Sequence, residues 1–219
     1  WIGRGASCGL LLLLYCLMTR IIAYVDGFNL YHAIHDLSRP ALKWLDLWAL
    51  TASLARQGET VTEVNYFSAY ATWRPDAYQR HIEYVKALEH AGVKCIMGHF
   101  KQKHRDCKKC GAKWIGHEEK ETDVHIAARI VVDACENRYD RAILITADSD
   151  LVPALNIVKA RYPAKQLFVA APPNRMSAAR GLQPRLELTA GRLAKCSLPG
   201  TATDPATGRV LFTRPATYI

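Results

Sequence analysis

The segment 141–155, RAILITADSDLVPAL, carries the residue types and spacing best suited to chemistry. Its apolar run 142–145 predicts a buried parallel strand, because both faces of such a strand are covered and no polar alternation is needed. Asp148 and Asp150 follow, on either side of Ser149, before apolar residues at helical spacing. Two carboxylates at the end of a strand can bind a divalent cation. The alternative is that Asp148 or Ser149 only caps the next helix.

Three further polar residues occupy comparable places in the chain. Asp26 and Asn29 follow the apolar segment 20–25, and Asp123 stands at the start of a long helix predicted to end near Asn137. In an open α/β sheet, ligands gather at the carboxyl ends of strands, where the strand order reverses. If these residues share that edge, helix capping must explain three places at once, and a common site is the simpler interpretation.

The elements that must position these side chains alternate between strands and helices. Apolar runs predict five strands, at residues 20–25, 61–70, 93–97, 142–145 and 165–170. This alternation predicts an α/β fold, a Rossmann-like three-layer sandwich with a central parallel sheet and right-handed crossovers. The simplest strand order, 3-2-1-4-5, puts the first and fourth strands side by side. Asp26, Asp148 and Asp150 then meet at one edge, with Asp123 nearby.

Clustered carboxylates raise one another's pKa unless a cation compensates their charge. Mg²⁺ and Mn²⁺ prefer oxygen ligands and keep several waters, which leaves room for the phosphate oxygens of a substrate. A cation in such a place lowers the pKa of bound water and stabilises an in-line displacement at phosphorus. The sequence has no Gly-rich phosphate loop, which argues against a nucleotide-hydrolysing motor or a dinucleotide oxidoreductase. It also has no Ser-His-Asp or Cys-His pattern.

Charge is concentrated in two parts of the 219-residue chain, whose net charge is +9. Residues 101–113 hold six Lys or Arg and one Asp, and residues 174–219 hold seven against two acidic residues. Each stretch therefore carries +5, and the rest of the chain is almost neutral. Two basic appendages on a neutral body predict a polyanionic partner such as nucleic acid, and the alternative is a pair of solvated basic loops.

Residues 98–120 form a basic, Cys-containing insert before the fourth main helix. Its C-x-x-C pair is half of a structural zinc site, which usually has four ligands. The candidate zinc ligands are Cys107, Cys110, His104 and His117. Cys95, His99 or a partner chain can substitute for one of them, and the alternative is a reduced cysteine pair in a basic loop.

Basic side chains of the insert are candidates to bind phosphates that flank the metal. They are Lys101, Lys103, Arg105, Lys108 and Lys109. Arg175 and Arg180, just beyond the fifth predicted strand, are secondary candidates. Trp114 can stack on an unpaired base, or it can pack a small knuckle around the cysteines.

Four segments, AYVDGFNLYHAI, HEEKETDVHIAARIV, YDRAILITADSDLVPAL and FVAAPP, resemble the NYN domain, the LabA-like branch of the PIN-type nuclease superfamily. The resemblance extends over about residues 20–190 and implies a PIN-like fold and a metal-dependent ribonuclease that uses an activated water. The metal-binding residues that it implies are Asp26, Asp123, Asp148 and Asp150. It further implies that Asn29 is their polar partner and that Thr146 and Ser149 assist.

Other functions are compatible with the same residues. Some members of this family lose catalysis, so the first alternative is an RNA-binding or regulatory adaptor that does not cleave. A structure-specific DNA nuclease is the second, because nothing in the sequence indicates recognition of a 2′-hydroxyl group. A phosphatase acting on small phosphoesters is the third, although the basic appendages argue against it.

The predicted domain, residues 18–190, includes the insert and precedes an Arg- and Pro-containing tail at residues 191–219. Residues 1–17 have an apolar core too short to span a membrane, and we expect them to be a non-native or disordered extension before a natural start at Met18. Seven cysteines without a disulfide-like spacing predict the reducing cytoplasm. The expected partner is single-stranded or structured RNA and no membrane, and a homo-oligomer is compatible with the sequence.

Overall fold

A computed structural model describes residues 18–219. The extension predicted at residues 1–17 lies outside the described residues. The strands are β1 (Thr19–Asp26), β2 (Glu59–Ala69), β3 (Lys94–Asp106), β4 (Lys113–Lys120), β5 (Arg141–Ile145), β6 (Gln166–Ala171), β7 (Leu186–Glu187), β8 (Thr201–Thr203) and β9 (Val210–Thr213). The helices are α1 (Gly27–Asp36), α2 (Leu47–Ala52), α3 (Pro75–His90), α4 (Thr122–Cys135), α5 (Val152–Arg161) and α6 (Ala190–Ala194). Short 3-10 helices occupy Pro40–Lys43, Ser149–Leu151, Ala178–Leu182 and Ala216–Tyr218.

One sheet of seven strands, in the order β4-β3-β2-β1-β5-β6-β7, forms the centre of the fold. Every neighbouring pair is parallel except β3 with β4. The α/β class and the order 3-2-1-4-5 of the five predicted strands are confirmed, since those strands are β3, β2, β1, β5 and β6. Strands β4 and β7 raise the number from five to seven.

The insert 98–120 accounts for one of the added strands. Strand β3 continues past its predicted end at residue 97 and pairs with β4 from His99↔Lys120 to Asp106↔Lys113, so the insert is a hairpin. Its residues are mostly exposed or half-buried. No apolar run marks this strand in the sequence, because a hairpin that projects beyond the core needs no continuous apolar run.

Helices cover both faces of the sheet, as the three-layer prediction required. Ile21, Ala23 and Val25 of β1 belong to an apolar cluster with α1, α2 and α3. Ile22 and Tyr24 point to the opposite face and pack in a second cluster with α4 and α5. Strand β1 is therefore buried on both sides, which explains why its sequence is continuously apolar.

The C-terminal segment packs on the same core as the residues before it. Leu198, Phe212 and Tyr218 are buried in the cluster that contains α1, α2 and α3. The Trp44 indole donates a hydrogen bond to the Pro199 carbonyl (2.8 Å), and its ring lies 6.0 Å from that of Phe212. The boundary drawn at residue 190 stays a prediction.

Helix α4 is held against the sheet by a buried acidic residue. The carboxylate of Asp133, fully buried, accepts hydrogen bonds from the Tyr24 hydroxyl (2.7 Å) and from the guanidinium groups of Arg129 (3.1 Å) and Arg138 (3.0 Å). Arg138 also donates to Glu63 on β2 (2.8 Å). These contacts hold in place the helix that carries Asp123 in its first turn.

Over residues 18–219, every helix is too short or too polar to cross a membrane.

Candidate metal centre

Three aspartates from separate parts of the chain meet at the carboxyl edge of the sheet. Asp26 ends β1, Asp148 follows β5, and Asp123 is the second residue of α4. One carboxylate oxygen from each lies within 4.8 Å of the other two. Within the described range, no other group of three or more His, Cys, Asp or Glu residues is arranged to hold a metal ion. The arrangement matches the size and oxygen preference of a hard divalent cation.

Hydrogen bonds tie the ends of β1 and β5 together and hold the Asp26 carboxylate and the backbone of Asp148. The Thr146 hydroxyl donates to Asp26 Oδ2 (3.0 Å) and accepts a hydrogen bond from the Asp148 amide (3.0 Å). The Ala147 amide donates to Asn29 Oδ1 (3.0 Å). Asn29 and Thr146 are therefore placed to position the acidic residues, while Ser149 is on the adjacent 3-10 helix.

Capping and clustering coexist at two of the three aspartates. Asp26 Oδ1 accepts the Asn29 amide (3.0 Å) at the start of α1. Asp148 Oδ1 accepts the Asp150 amide (2.9 Å) at the start of the 3-10 helix. A carboxylate has about four acceptor sites, so a capping bond leaves lone pairs for a cation. Asp26 and Asp148 therefore do cap helices, as the alternative interpretation held, and they remain able to bind a cation together with Asp123.

Burial and repulsion from neighbouring carboxylates disfavour the charged forms of Asp26 and Asp123. Burial raises the pKa of Asp26 to about 6, the charges of Asp123 and Asp148 add to this effect, and hydrogen bonds from Asn29 and Thr146 oppose it. Burial also raises the pKa of Asp123 to about 6, with contributions from Asp148, Glu119 and Asp150. A divalent cation would offset this repulsion, and the donor set therefore fits Mg²⁺ or Mn²⁺.

Glu119 is a fourth carboxylate of the site, and the sequence analysis missed it. It lies on β4 and lines the same pocket as the three aspartates. Its Oε1 accepts a hydrogen bond from the Thr122 amide (3.1 Å) at the start of α4. Between them, Glu121 adopts a left-handed backbone conformation (φ 79°), which turns the chain from the strand into the helix. The acidic run before Asp123 is the signal in the sequence, and only the position of Glu119 on β4 shows that this residue reaches the pocket.

The other residues predicted to surround the metal lie outside the group of three aspartates. Asp150 is exposed on the 3-10 helix and stands outside the group of three, although its charge contributes to the raised pKa of Asp123. Arg175 lines the pocket and forms an ion pair with Asp36. Arg180 is exposed and lies outside the residues that line this pocket.

Three of the basic residues predicted to reach phosphates point away from the centre. Side chains alternate along a strand, and Glu119 and His117 mark the hairpin face that lines the cavities. The hairpin register puts Lys101, Lys103 and Arg105 on the opposite face. Lys108 and Lys109 lie in the turn at the tip of the hairpin. The structure therefore places none of these five beside the three aspartates.

The predicted zinc ligands are not brought together within one chain. Cys107 and Cys110 occupy the turn of the hairpin, where the Cys107 amide donates to the Ala112 carbonyl (2.8 Å). His117 is paired with Gln102, five residues from Cys107, which corresponds to about 16 Å of strand. The His117 ring stacks on Trp73 (3.7 Å between centroids). His104, Cys107, Cys110 and His117 are therefore spread along the hairpin.

The raised pKa values predict how the metal-free protein responds to pH. Asp123 has a folded-state pKa of about 6 against an ordinary value of 3.8, so the folded state binds the proton more tightly. Stability must fall as pH rises from about 4 to about 6. Asp123→Asn removes this penalty, and we expect the melting temperature at pH 8 in EDTA to rise by about 3 °C, equivalent to about 1 kcal/mol. That is less than the full shift implies, because the residue is half-exposed and solvent screens it.

Thermal unfolding of wild type and Asp123→Asn at pH 4 and pH 8 checks this expectation. At pH 4 the two proteins should differ less than at pH 8, because the aspartate is then largely protonated in the folded state and partly protonated in the unfolded state. A variant that is less stable than wild type at pH 8, with metal removed, would show that the three carboxylates do not repel one another.

Comparison with known proteins agrees with the fold. The NYN domain family matches residues 20–183. A Pseudomonas putida (strain DSM 28022 / S16) protein named 6-hydroxy-3-succinoylpyridine 3-monooxygenase HspA is 25% identical over 227 residues, covering 84% of this chain and 70% of that protein. A crystal structure of a protein of unknown function from Vibrio parahaemolyticus RIMD 2210633 has a TM-score of 0.51 and 22% identity, covering 80% of this chain and 94% of its own. That structure supports the fold alone.

The family match spans three quarters of the chain and contains all three clustered aspartates. It also ends before the C-terminal segment that packs on the core. The sheet order, the carboxylate cluster and this match agree. The chain belongs to the NYN domain family, within the PIN-like nuclease superfamily.

Proposed function

We propose that this protein is a metal-dependent ribonuclease that hydrolyses phosphodiester bonds within single-stranded or structured RNA. The observation that carries the proposal is the convergence of Asp26, Asp123 and Asp148, whose oxygens lie within 4.8 Å of one another at the carboxyl edge of a PIN-like sheet. Asp26 is buried and Asp123 and Asp148 are half-buried, so their mutual repulsion destabilises the fold unless a cation compensates it. Membership of a nuclease superfamily supports the reaction class.

In this proposal the three aspartates hold Mg²⁺ or Mn²⁺, and Asn29 and Thr146 keep Asp26 and the chain around Asp148 in place. The cation supplies Lewis-acid stabilisation of the phosphoryl oxygens and makes water a better nucleophile. Water attacks phosphorus, the bond to one ribose oxygen breaks, and that oxygen takes up a proton. Glu119 is the candidate to accept the proton that the attacking water loses. Arg175, at the rim of the pocket, is placed to neutralise a phosphate oxygen.

Cleavage of RNA and DNA strands of one sequence, in Mg²⁺, in Mn²⁺ and in EDTA, tests the proposal. We expect cleavage of the RNA with either cation and no cleavage in EDTA. Binding of RNA without cleavage would favour the adaptor, cleavage of DNA alone would favour a structure-specific DNA nuclease, and hydrolysis of a generic aryl phosphate would favour a phosphatase. Cleavage that survives complete removal of metal would contradict the proposed mechanism.

The name of the Pseudomonas putida relative gives a second candidate, oxygenation of a substituted pyridine. The likeness covers most of this chain, although it is only 25% identical. A monooxygenase consumes O₂ and two electrons from a donor. Uptake of O₂ by the purified protein with 6-hydroxy-3-succinoylpyridine and NADH would support this candidate, and no uptake under conditions that cleave RNA would remove it.

We also propose that the protein acts in the cytoplasm, because the five cysteines within residues 18–219 are all free thiols. Three of these cysteines, Cys95, Cys107 and Cys196, are buried or partly buried, and burial raises the pKa of the Cys95 and Cys196 thiols. Such thiols stay reduced in a reducing compartment.

A further inference from the structure

A second, larger cavity of about 780 Å³ lies beside the metal centre, bounded by α1, α3 and the β3–β4 hairpin. Phe28 and Tyr31 of α1, Trp73 from the segment after β2, and Phe100 and His117 of the hairpin line it. Its volume falls in the range of ligand-binding cavities. The three clustered aspartates do not line it, so it is a separate site.

The cavity and the metal centre share a wall. Phe28, His32 and Glu119 line both of them. Phe28 is two residues from Asp26 in the chain. Glu119 accepts a hydrogen bond from the Thr122 amide, in the first turn of the helix that carries Asp123. A strand that places one phosphate at the aspartates therefore brings a neighbouring nucleotide to the mouth of this cavity.

Aromatic rings line the cavity close to the wall that it shares with the metal centre. The Trp73 side chain is 36% exposed, its ring stacks on His117 with an interplanar angle of 7°, and the Phe100 ring lies 4.6 Å from it in an edge arrangement. Phe28 in turn lies 5.4 Å from Phe100. Exposed aromatic surface in a concave site suits a flat ring, and stacking on aromatic side chains is a common way in which proteins hold unpaired bases.

Another part of the cavity wall is polar but uncharged. Burial lowers the pKa of His81 to about 4, so its imidazole is neutral at physiological pH. It is hydrogen-bonded to the Tyr66 hydroxyl (3.1 Å), and Ser68 also lines the cavity. Neutral donors and acceptors match the edge of a base, whereas a phosphate would require compensating charge there.

Positive charge is available on the walls of the cavity. Lys43, Arg74 and Arg80 all line it, and none of them forms an ion pair with a carboxylate in the described part of the chain. Glu119 is the only acidic residue among the described residues that line the cavity. A nucleotide has a neutral ring and an anionic phosphate, and this distribution of charge is complementary to both.

We infer that this cavity binds an unstacked base of the RNA strand, next to the phosphate held at the metal centre. The inference rests on the proposed ribonuclease function and adds to it the site that selects single-stranded RNA. A base in a duplex is stacked and paired, so it cannot enter a walled cavity without being unpaired first. Trp73 is the residue expected to contribute most to stacking.

Binding of a fluorescently labelled RNA oligonucleotide, and of an abasic strand of equal length, tests the inference. The measurement is made by anisotropy in Ca²⁺, which also takes oxygen ligands, and a gel checks that the strand remains intact. We expect wild type to bind the normal strand at least tenfold more tightly than the abasic strand. Trp73→Ala should lose about tenfold affinity for the normal strand and leave abasic binding unchanged, and Trp73→Phe should restore most of the loss.

Trp114, considered above for stacking on a base, is paired with Arg105 and lies on the hairpin face turned away from the cavity. Trp114→Ala is therefore the matched control, an exposed tryptophan outside the proposed base site. We expect it to bind both strands within twofold of wild type. Equal wild-type affinity for the normal and abasic strands, or an unchanged Trp73→Ala, would overturn the base site while leaving the nuclease proposal intact. Failure of wild type to bind either strand would overturn both.

Discussion

Asp148→Asn is expected to lower RNA cleavage by at least about a thousandfold while leaving the fold intact. Asparagine caps a helix as well as aspartate does, so the hydrogen bond from the Asp150 amide survives in the variant. The substitution removes one of three negative charges from the proposed cation site, and weaker binding of the cation removes several kcal/mol of charge stabilisation from the transition state. Single-turnover cleavage of a labelled RNA measures the loss.

Two further variants make this result specific. Asp204→Asn is the matched control, since Asp204 accepts an amide hydrogen bond from Ala206 (2.8 Å) in the turn between β8 and β9. It should cleave like wild type. Asp150→Asn should lose less than about tenfold, because Asp150 stands outside the group of three. Cleavage by Asp148→Asn within tenfold of wild type would contradict the assignment of this residue.

Gly27→Ala is expected to destabilise the protein by about 3 kcal/mol and to lower its melting temperature by about 5–10 °C. A Cβ atom at this position would lie 2.6 Å from the Phe67 carbonyl oxygen and 2.6 Å from the Tyr66 ring. The carbonyl belongs to the backbone of β2, which pairs with β1 beside it and cannot move cheaply. The start of α1 must therefore shift away from the sheet, and it carries Asp26 and Phe28 with it.

Thermal unfolding of Gly27→Ala and Gly191→Ala measures this effect. Gly191 lies in α6, and a Cβ atom added there would have no neighbouring atom within 4 Å, so its substitution should leave the melting temperature unchanged or raise it slightly. We also expect Gly27→Ala to cleave RNA about tenfold more slowly. Equal melting temperatures for wild type and Gly27→Ala would show that β2 and α1 adapt without strain.

The parallel core was predictable because its physical signal is strong. Strands such as β1 and β5 are buried on both faces, so their sequences are continuously apolar, and each ends in polar residues. Sheet topology then required Asp26 and Asp148 to meet. This prediction depended on the order of the strands and not on the positions of side chains. For that reason three aspartates distant in sequence could be assigned to one edge of the sheet.

The hairpin was less predictable, and the errors around the site originate there. Glu119 could not be predicted as a site residue, because only the pairing of β4 with β3 brings it to the pocket. The same pairing turns Lys101 and Lys103 away from the aspartates and separates His117 from Cys107. Spacing in sequence predicted proximity, whereas alternation along a strand decided which face each side chain occupies.

Gly27 is important to the fold for a reason that the sequence does not show. A glycine after an aspartate is typical of a sharp turn, where the backbone freedom of glycine would be the reason for it. In the structure Gly27 is the first residue of α1 and is part of the helix. Glycine is needed because the helix begins in contact with β2, a relation between distant segments that no local pattern contains.

The most direct test of the central claim is to locate Mn²⁺ in crystals of the protein by its anomalous scattering. We predict one strong peak coordinated by oxygens of Asp26, Asp123 and Asp148, and its loss in crystals of Asp148→Asn. A peak elsewhere, such as at the cysteines of the hairpin, with none between these three aspartates, would contradict the account.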